Sequence, residues 1–203
     1  MDVNVGALAA GFGTSAYGVG KTTGRFDFSG TDVKSRSDLN GTLTARFDQT
    51  TVRELPVLGT ISPFLSPVQA LTRFESGDVL ARLGAGQLRI ERLALAGTGA
   101  KLFADGTVGL DGRLDLAVVY NTNQIGPVSP VFRLIARNIP AIGPIPVGLI
   151  VRVTEALSNR VVRLTIGGTT SRPAVQLNAA GLLSENAVRF FVGQYVPVPV
   201  NTP

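Results

Sequence analysis

Alternating apolar and polar side chains mark several segments in the first half of the chain as strands. In segment 40–48, Leu43, Ala45 and Phe47 alternate with threonine, arginine and aspartate side chains. Segment 24–30 shows the same alternation with two phenylalanines. Because successive side chains of a strand point to opposite faces of a sheet, each segment predicts a strand with one apolar face.

Residues 87–119 predict a three-stranded antiparallel meander. The alternation in its first strand, 87–95, breaks near Arg92 and Leu93, and a glycine-rich turn follows. The second and third strands are separated by Asp111 and Gly112, which predict a two-residue hairpin turn because both residue types tolerate positive φ. The alternating apolar positions of these two strands are Leu102, Ala104, Val108, Leu110, Leu114, Leu116 and Val118.

Helical spacing of apolar residues is confined to short stretches. Ser184 is a suitable N-cap for the last of them, because its hydroxyl can accept a bond from a backbone N–H. In another stretch, Val151 and Val153 also permit a strand, so that alternative stays open. The predicted helices cover 62–72, 130–138, 148–158 and 184–195, and further strands are predicted at 160–168 and 173–178.

Together these elements predict a mainly β protein with a few short helices, of the α+β class. We expect a single domain over 1–203. Its parts are an antiparallel meander at 24–120 with the 62–72 helix inserted, a basic and proline-interrupted helical segment at 128–159, strands at 160–178 and a terminal helix at 184–195.

Histidine and cysteine are both missing from the 203 residues. Their absence excludes Ser-His and Cys-His nucleophile pairs, His or Cys metal sites, and disulfide bonds. No apolar run reaches the roughly 18 residues that a membrane-spanning helix needs. The longest uncharged candidate, 139–151, is interrupted by three prolines. We therefore expect no catalytic residue, no metal and no cofactor.

The net charge of +5 is concentrated in one part of the chain. Residues 128–172 hold six arginines and a single acid, Glu155, whereas the rest of the chain is neutral. A basic, apolar stretch too short to span a bilayer is typical of a membrane-surface element. Aromatic side chains for base stacking are scarce there, so no nucleic acid is expected. The arginines predicted to meet a membrane surface are Arg133, Arg137, Arg152, Arg160 and Arg163.

Three aspartates are the best candidates for carboxylate chemistry. Asp105 and Asp115 fall on polar strand faces, and Asp111 lies in the predicted turn. Opposed carboxylates can act as an acid–base pair or hold a divalent cation. The interpretation that we favour is a structural one, in which they form a turn and solvated faces beside Lys101 and Arg113.

Two motifs carry a family resemblance. The first is a glycine-rich strand followed by alternating apolar positions, at Gly106, Val108, Leu110, Gly112, Leu114, Asp115 and Leu116. The second is the run 164–169 followed by Arg172-Pro173-Ala174-Val175. Over roughly 24–178 the chain resembles the C-terminal region of AsmA-like envelope proteins. The membrane anchor and repetitive middle of that family are missing from these residues, so we expect a C-terminal fragment of a larger protein or a shortened relative.

The resemblance implies an antiparallel sheet curled into a β-groove that is closed by C-terminal helices. It implies a non-enzymatic lipid-binding or lipid-transfer module of the bacterial cell envelope, on the periplasmic side of the inner or outer membrane, that supports outer-membrane homeostasis. The expected partners are phospholipid or a membrane surface, and envelope proteins. The residues predicted to line the groove are Leu43, Phe47, Leu102, Val108, Leu114, Leu116 and Val118.

Two other functions stay open on the sequence. One is a structural or adhesive β-domain that pairs with a partner through a sheet edge or a packed surface. The other is a carboxylate-based hydrolase that uses Asp105, Asp111 or Asp115. The apolar strand faces likewise have two interpretations, an ordinary closed core or an open track for lipid.

Overall fold

Eight antiparallel strands form one sheet in chain order. The computed structural model describes residues 21–29, 34–35, 38–51, 73–121, 130–158 and 160–193. Among the described strands the first and the last each pair on one side only, so the sheet is open. The predicted mainly β, antiparallel class is confirmed. The strands are β1 Lys21–Ser29, β2 Asn40–Thr51, β3 Arg73–Gly84, β4 Gln87–Ala96, β5 Lys101–Gly109, β6 Leu114–Asn121, β7 Val161–Thr169 and β8 Arg172–Leu177.

Three short helices accompany the sheet in the described part of the chain: α1 Pro130–Arg137, α2 Val147–Leu157 and α3 Glu185–Val192. The strand alternative for Val151 and Val153 is wrong, since both lie in α2. Ser184 is the N-cap of α3 as predicted, and its hydroxyl accepts a bond from the N–H of Ala187 at 3.3 Å. The predicted helix 62–72 lies outside the described residues.

The last helix is shorter than the predicted 184–195. It ends at Val192 because Gly193 takes a left-handed conformation with φ of 80°. A glycine at this position ends helices readily, since it reaches positive φ without steric cost. The last two residues of the predicted range, 194 and 195, lie outside the described residues.

The turn between β5 and β6 differs from the predicted two-residue hairpin. It has four residues, of which only Gly112 has positive φ, at 88°. The carboxylate of Asp111 accepts a bond from the backbone N–H of Arg113 at 3.0 Å, and the N–H of Gly109 donates to the Arg113 carbonyl at 2.8 Å. Asp111 therefore stabilises a wider turn through its side chain.

A β-bulge interrupts the pairing of β4, where the register shifts between Ile90 and Leu93. This confirms the break that the sequence predicts near Arg92 and Leu93. Ile90 and Leu93 are an odd number of residues apart and would point to opposite faces of a regular strand. The extra residue at the bulge lets both pack in the same apolar cluster.

Both faces of the sheet are apolar, and we name each after one residue of β5. On the Phe103 face, Ala94, Phe103 and Val119 pack against residues of all three helices and their connections. The Leu102 face carries a second cluster that contains no residue of a described helix. Its buried members are Ala45, Phe74, Val79, Leu93, Leu95, Ala100, Leu102, Ala104, Leu114, Leu116, Val118, Tyr120, Leu164 and Ile166.

Candidate functional site

All seven residues predicted to line a groove lie in the Leu102-face cluster. They come from β2, β5 and β6, and the antiparallel register places Val108 opposite Leu114 and Ala104 opposite Val118. Alternation along each strand therefore directs these side chains to one face. The structure thus brings together the residues that the sequence singled out.

The seven residues differ in exposure. Leu102, Leu114, Leu116 and Val118 are buried. Leu43, Phe47 and Val108 are only partly buried at the margin of the cluster, and so are Ile90, Val162 and Val175. A ligand approaching this face would first meet these six marginal residues.

The centre of the Leu102 face is closely packed. Tyr120 and Phe74 are both fully buried, and their rings make an edge-to-face contact with centroids 6.4 Å apart. Such aromatic pairs favour this perpendicular geometry because the positive ring edge faces the negative ring centre. Carbon surface dominates the cluster, so its chemistry is that of apolar contact.

The arginines predicted to meet a membrane fall into two groups. Arg137, Arg152 and Arg160 are exposed. Arg163 is partly buried, and its guanidinium donates to the carbonyl of Gly181 at 2.6 Å and to that of Ala179. Arg163 therefore holds the segment that precedes α3 and, unlike the other three, is not available to a membrane surface. The side chain of Arg133 lies outside the described residues, although its backbone belongs to α1.

The three candidate aspartates do not form one site. Asp105 and Asp115 line a cavity of about 610 Å³ together with Glu91 and Asn186. Asp111 lies at the β5–β6 turn and lines a second cavity of about 720 Å³, which Asp115 also lines but Asp105 does not. Burial raises the pKa of Asp105, and a hydrogen bond from the Ser184 hydroxyl acts in the opposite direction. The described residues contain no group of three or more acidic side chains that could hold a metal ion.

A second polar site on the Phe103 face was missed by sequence reasoning. A cavity of about 510 Å³ is lined by Arg46, Asp48, Asp78, Lys101 and Phe190, among others. The Nζ atom of Lys101 lies 5.5 Å from the centroid of the Phe190 ring, and burial lowers the pKa of Lys101. The charges in this cavity are mixed, so it favours neither anions nor cations.

Arg189 is the other residue that sequence reasoning missed. Its guanidinium donates to the carbonyls of Pro140 at 2.8 Å, of Ala141 at 3.4 Å and of Gly143. It also pairs with Glu185 at 3.0 Å, one turn earlier in α3. The only sequence signal is a single charged residue inside the apolar stretch 187–192.

None of the described helices is long and apolar enough to cross a bilayer. No family model, no curated protein and no solved structure matches this chain.

Proposed function

We propose that this chain is a non-enzymatic lipid-binding or lipid-transfer module, which shelters acyl chains on the Leu102 face of its sheet. The observation that carries the proposal is the second apolar cluster, which extends from β2 to β7 on the face opposite the described helices. An ordinary two-layer α+β domain needs only one apolar sheet face. The six partly buried residues of this second face are the apolar surface that a ligand or a partner could contact.

The dimensions of the face suit an acyl chain. Adjacent strands lie about 4.8 Å apart, so the distance from β2 to β7 is about 24 Å measured along the flat sheet. Curling of the sheet, as the AsmA-like resemblance implies, would turn this face into a groove with Leu43 and Phe47 at one margin and Val162 and Val175 at the other. The C-terminal helices would then cover the opposite face of the groove wall.

The chemistry of the face also suits a ligand that slides. Apolar contacts are non-directional, so they bind hydrocarbon without fixing its position along the face. In this proposal the marginal side chains contact the acyl chain, and the buried leucines and valines beside them keep the wall rigid. The site of action would be the bacterial cell envelope, where phospholipids pass between membranes.

Photo-crosslinking would test the proposal directly. The purified full chain is incubated with a phospholipid that carries a diazirine in its acyl chain, and the modified residues are identified by mass spectrometry. We expect modification at Leu43, Phe47 and Val108, and competition by unlabelled phospholipid. Leu182 is the internal control, because it is an exposed leucine of the segment before α3 and belongs to neither apolar cluster.

Two results would overturn the proposal. One is crosslinking at Leu182 alone, since this would indicate non-specific contact of lipid with exposed apolar residues. The other is the absence of lipid from organic extracts and native mass spectra of the protein purified from bacterial cells.

A structural or adhesive module is the second candidate. β8 is an edge strand among the described strands, and Leu177 at its end is 70% exposed. An unpaired edge can bind a strand from a partner. Pro173 lacks an N–H group and reduces the bonds that this edge can offer. Self-association that Leu177→Asp abolishes, in a protein that binds no lipid, would favour this alternative.

A further inference from the structure

The connection between α1 and α2, residues 138–146, exposes one apolar side chain to solvent between two buried ones. Ile142 is 92% exposed, whereas Ile139 and Ile145 on either side of it are buried among the helices of the Phe103 face. The connection is therefore fixed at both ends by apolar packing, with Ile142 at its tip. We call residues 138–146 the corner.

The backbone of the corner is held by a side chain from another helix. The Arg189 guanidinium accepts no bonds and donates to three carbonyls of the corner, those of Pro140, Ala141 and Gly143. Arg189 is in turn paired with Glu185. The Arg189 side chain is only 17% exposed, so these bonds also satisfy its own donors and leave the three carbonyls independent of water.

The bonds from Arg189 matter for a corner that leaves water. Backbone groups without a hydrogen-bond partner are costly in an apolar environment. Three carbonyls of the corner already have a protein donor, and its prolines at 140, 144 and 146 carry no N–H group. These three carbonyls therefore need no water when the tip enters the interfacial region of a bilayer.

The surroundings of the tip point to an anionic bilayer. Two further apolar side chains on the adjoining helices are largely exposed, Leu134 at 60% and Val147 at 68%. Arg137 ends α1 next to the corner, and Arg152 is an exposed residue of α2. Apolar side chains flanked by arginines are typical of elements that lie in a membrane surface containing anionic lipids.

We infer that the corner docks on anionic phospholipid bilayers by inserting Ile142, with Arg137 and Arg152 against the headgroups. This goes beyond the proposed function, because docking at the corner requires no lipid on the Leu102 face. The two faces of the molecule would then have separate tasks, one to contact the membrane and the other to shelter the acyl chain.

Vesicle flotation tests the inference with the full chain. We expect binding to vesicles of equal parts phosphatidylglycerol and phosphatidylcholine, and much weaker binding to phosphatidylcholine alone. Ile142→Asp should lower the partition coefficient at least about tenfold, since it removes the isoleucine side chain that inserts into the bilayer. Arg137→Gln and Arg152→Gln should each lower it about fivefold. Leu177→Asp is the matched control and should leave it within about twofold.

A fluorescent label gives an independent measurement. The chain has no cysteine, so Ile142→Cys and Leu177→Cys each accept a single environment-sensitive dye. We expect a blue shift on addition of the anionic vesicles for the dye at 142 and none for the dye at 177. Circular dichroism of each variant verifies that the sheet is retained.

Three outcomes would overturn the inference. The first is that Ile142→Asp floats with the anionic vesicles as well as the unsubstituted chain does. The second is that the dye at 142 shows no spectral shift when these vesicles are added. The third is a chain that self-associates through Ile142 and does not bind vesicles, which would make the corner a contact between copies. Crosslinking of acyl chains to Phe47 should persist in Ile142→Asp, so failure of docking can be distinguished from failure of the proposed function.

Discussion

The Nε atom of Arg92 lies 3.3 Å from Oδ2 of Asp78, which places a charged pair on the helix-covered face of the sheet. Asp78 is buried and stands opposite Ala94, a member of the Phe103-face cluster. Arg92 belongs to the bulge of β4, where the register of β3 and β4 also shifts. The pair therefore joins the bulge to the neighbouring strand.

Removing one member of this pair should lower the free energy of unfolding more than removing both members. We expect Asp78→Leu to lower the free energy of unfolding by about 3 kcal/mol, because it leaves the Arg92 cation without this partner in a largely buried position. The double variant Asp78→Leu/Arg92→Met should recover most of that loss. Urea unfolding monitored by circular dichroism measures both values. A double variant as unstable as the sum of the single variants would contradict the expected coupling.

The exposed pair Arg25–Asp27 is the control for this prediction. Its charged atoms are 2.8 Å apart, closer than those of the buried pair, but both side chains are more than half exposed. Water screens such pairs, so Asp27→Ala should change the free energy of unfolding by less than about 1 kcal/mol.

The hairpin between β3 and β4 contains a strained alanine. Its two loop residues, Ala85 and Gly86, have φ of 50° and 72°. A left-handed conformation costs a residue with a Cβ atom about 1–2 kcal/mol, and asparagine tolerates it better. Ala85→Asn creates the Asn-Gly sequence that two-residue hairpins prefer, and should raise the free energy of unfolding by about 0.5–1 kcal/mol.

Ala141→Asn is the matched substitution at an exposed alanine whose φ is not positive. It should bring no stabilisation, since the gain at position 85 depends on the left-handed backbone. Equal stabilisation at both positions in thermal unfolding would refute this explanation.

Gly106 allows β5 and β6 to approach each other closely. Its φ is 133°, and a Cβ atom there would lie 2.8 Å from the Cα of Leu116 and would also clash with the carbonyl oxygen of Asp115. Both clashing atoms belong to the backbone, so they cannot move aside cheaply. We expect Gly106→Ala to lower the free energy of unfolding by about 3 kcal/mol or more in urea titrations.

Gly148→Ala offers a comparison without a clash. A Cβ atom at this position has nothing within 4 Å, and the residue lies in the first turn of α2. Because alanine favours helix over glycine by up to about 1 kcal/mol, this variant should be as stable as the unsubstituted chain or slightly more stable. Comparable losses of unfolding free energy in both variants would show that close backbone approach is not the reason for the loss in Gly106→Ala.

Local pattern was enough to predict most of the fold. Alternation along β2, β5 and β6 and the break near Arg92 were visible in the sequence, since each depends on neighbouring residues only. β3 was not singled out as a strand, because the polar residues Ser76 and Asp78 interrupt its apolar positions. The partner that makes a buried Asp78 tolerable comes from the next strand, and single-sequence patterns do not show such a contact.

The candidate site was predictable only in part, for the same reason. Alternation placed Leu102, Leu116 and Phe47 on one face, but it could not show which face the helices cover. The role of Arg189 was not predictable, because the carbonyl of Pro140 that it contacts lies 49 residues earlier in the chain. The hydrogen bonds of Arg163 to the segment before α3 were not predictable for the same reason, since the carbonyl of Gly181 lies 18 residues later in the chain.

Asp105 should make the stability of the protein fall as the pH rises above the acidic range. Burial raises the pKa of its carboxyl above the ordinary value of 3.8, so the folded state holds this proton more tightly than the unfolded chain. Stability from Asp105 is then fully present below pH 3.8 and is lost as the pH rises through the raised pKa of the folded state. Asp105→Asn, which has the same shape and no charge, should gain stability relative to the unsubstituted chain between pH 4 and pH 7 in urea titrations. Asp115→Asn removes an exposed carboxylate from the same cavity and should retain the decline of stability with rising pH. Loss of that decline in Asp115→Asn would show that Asp105 is not its source.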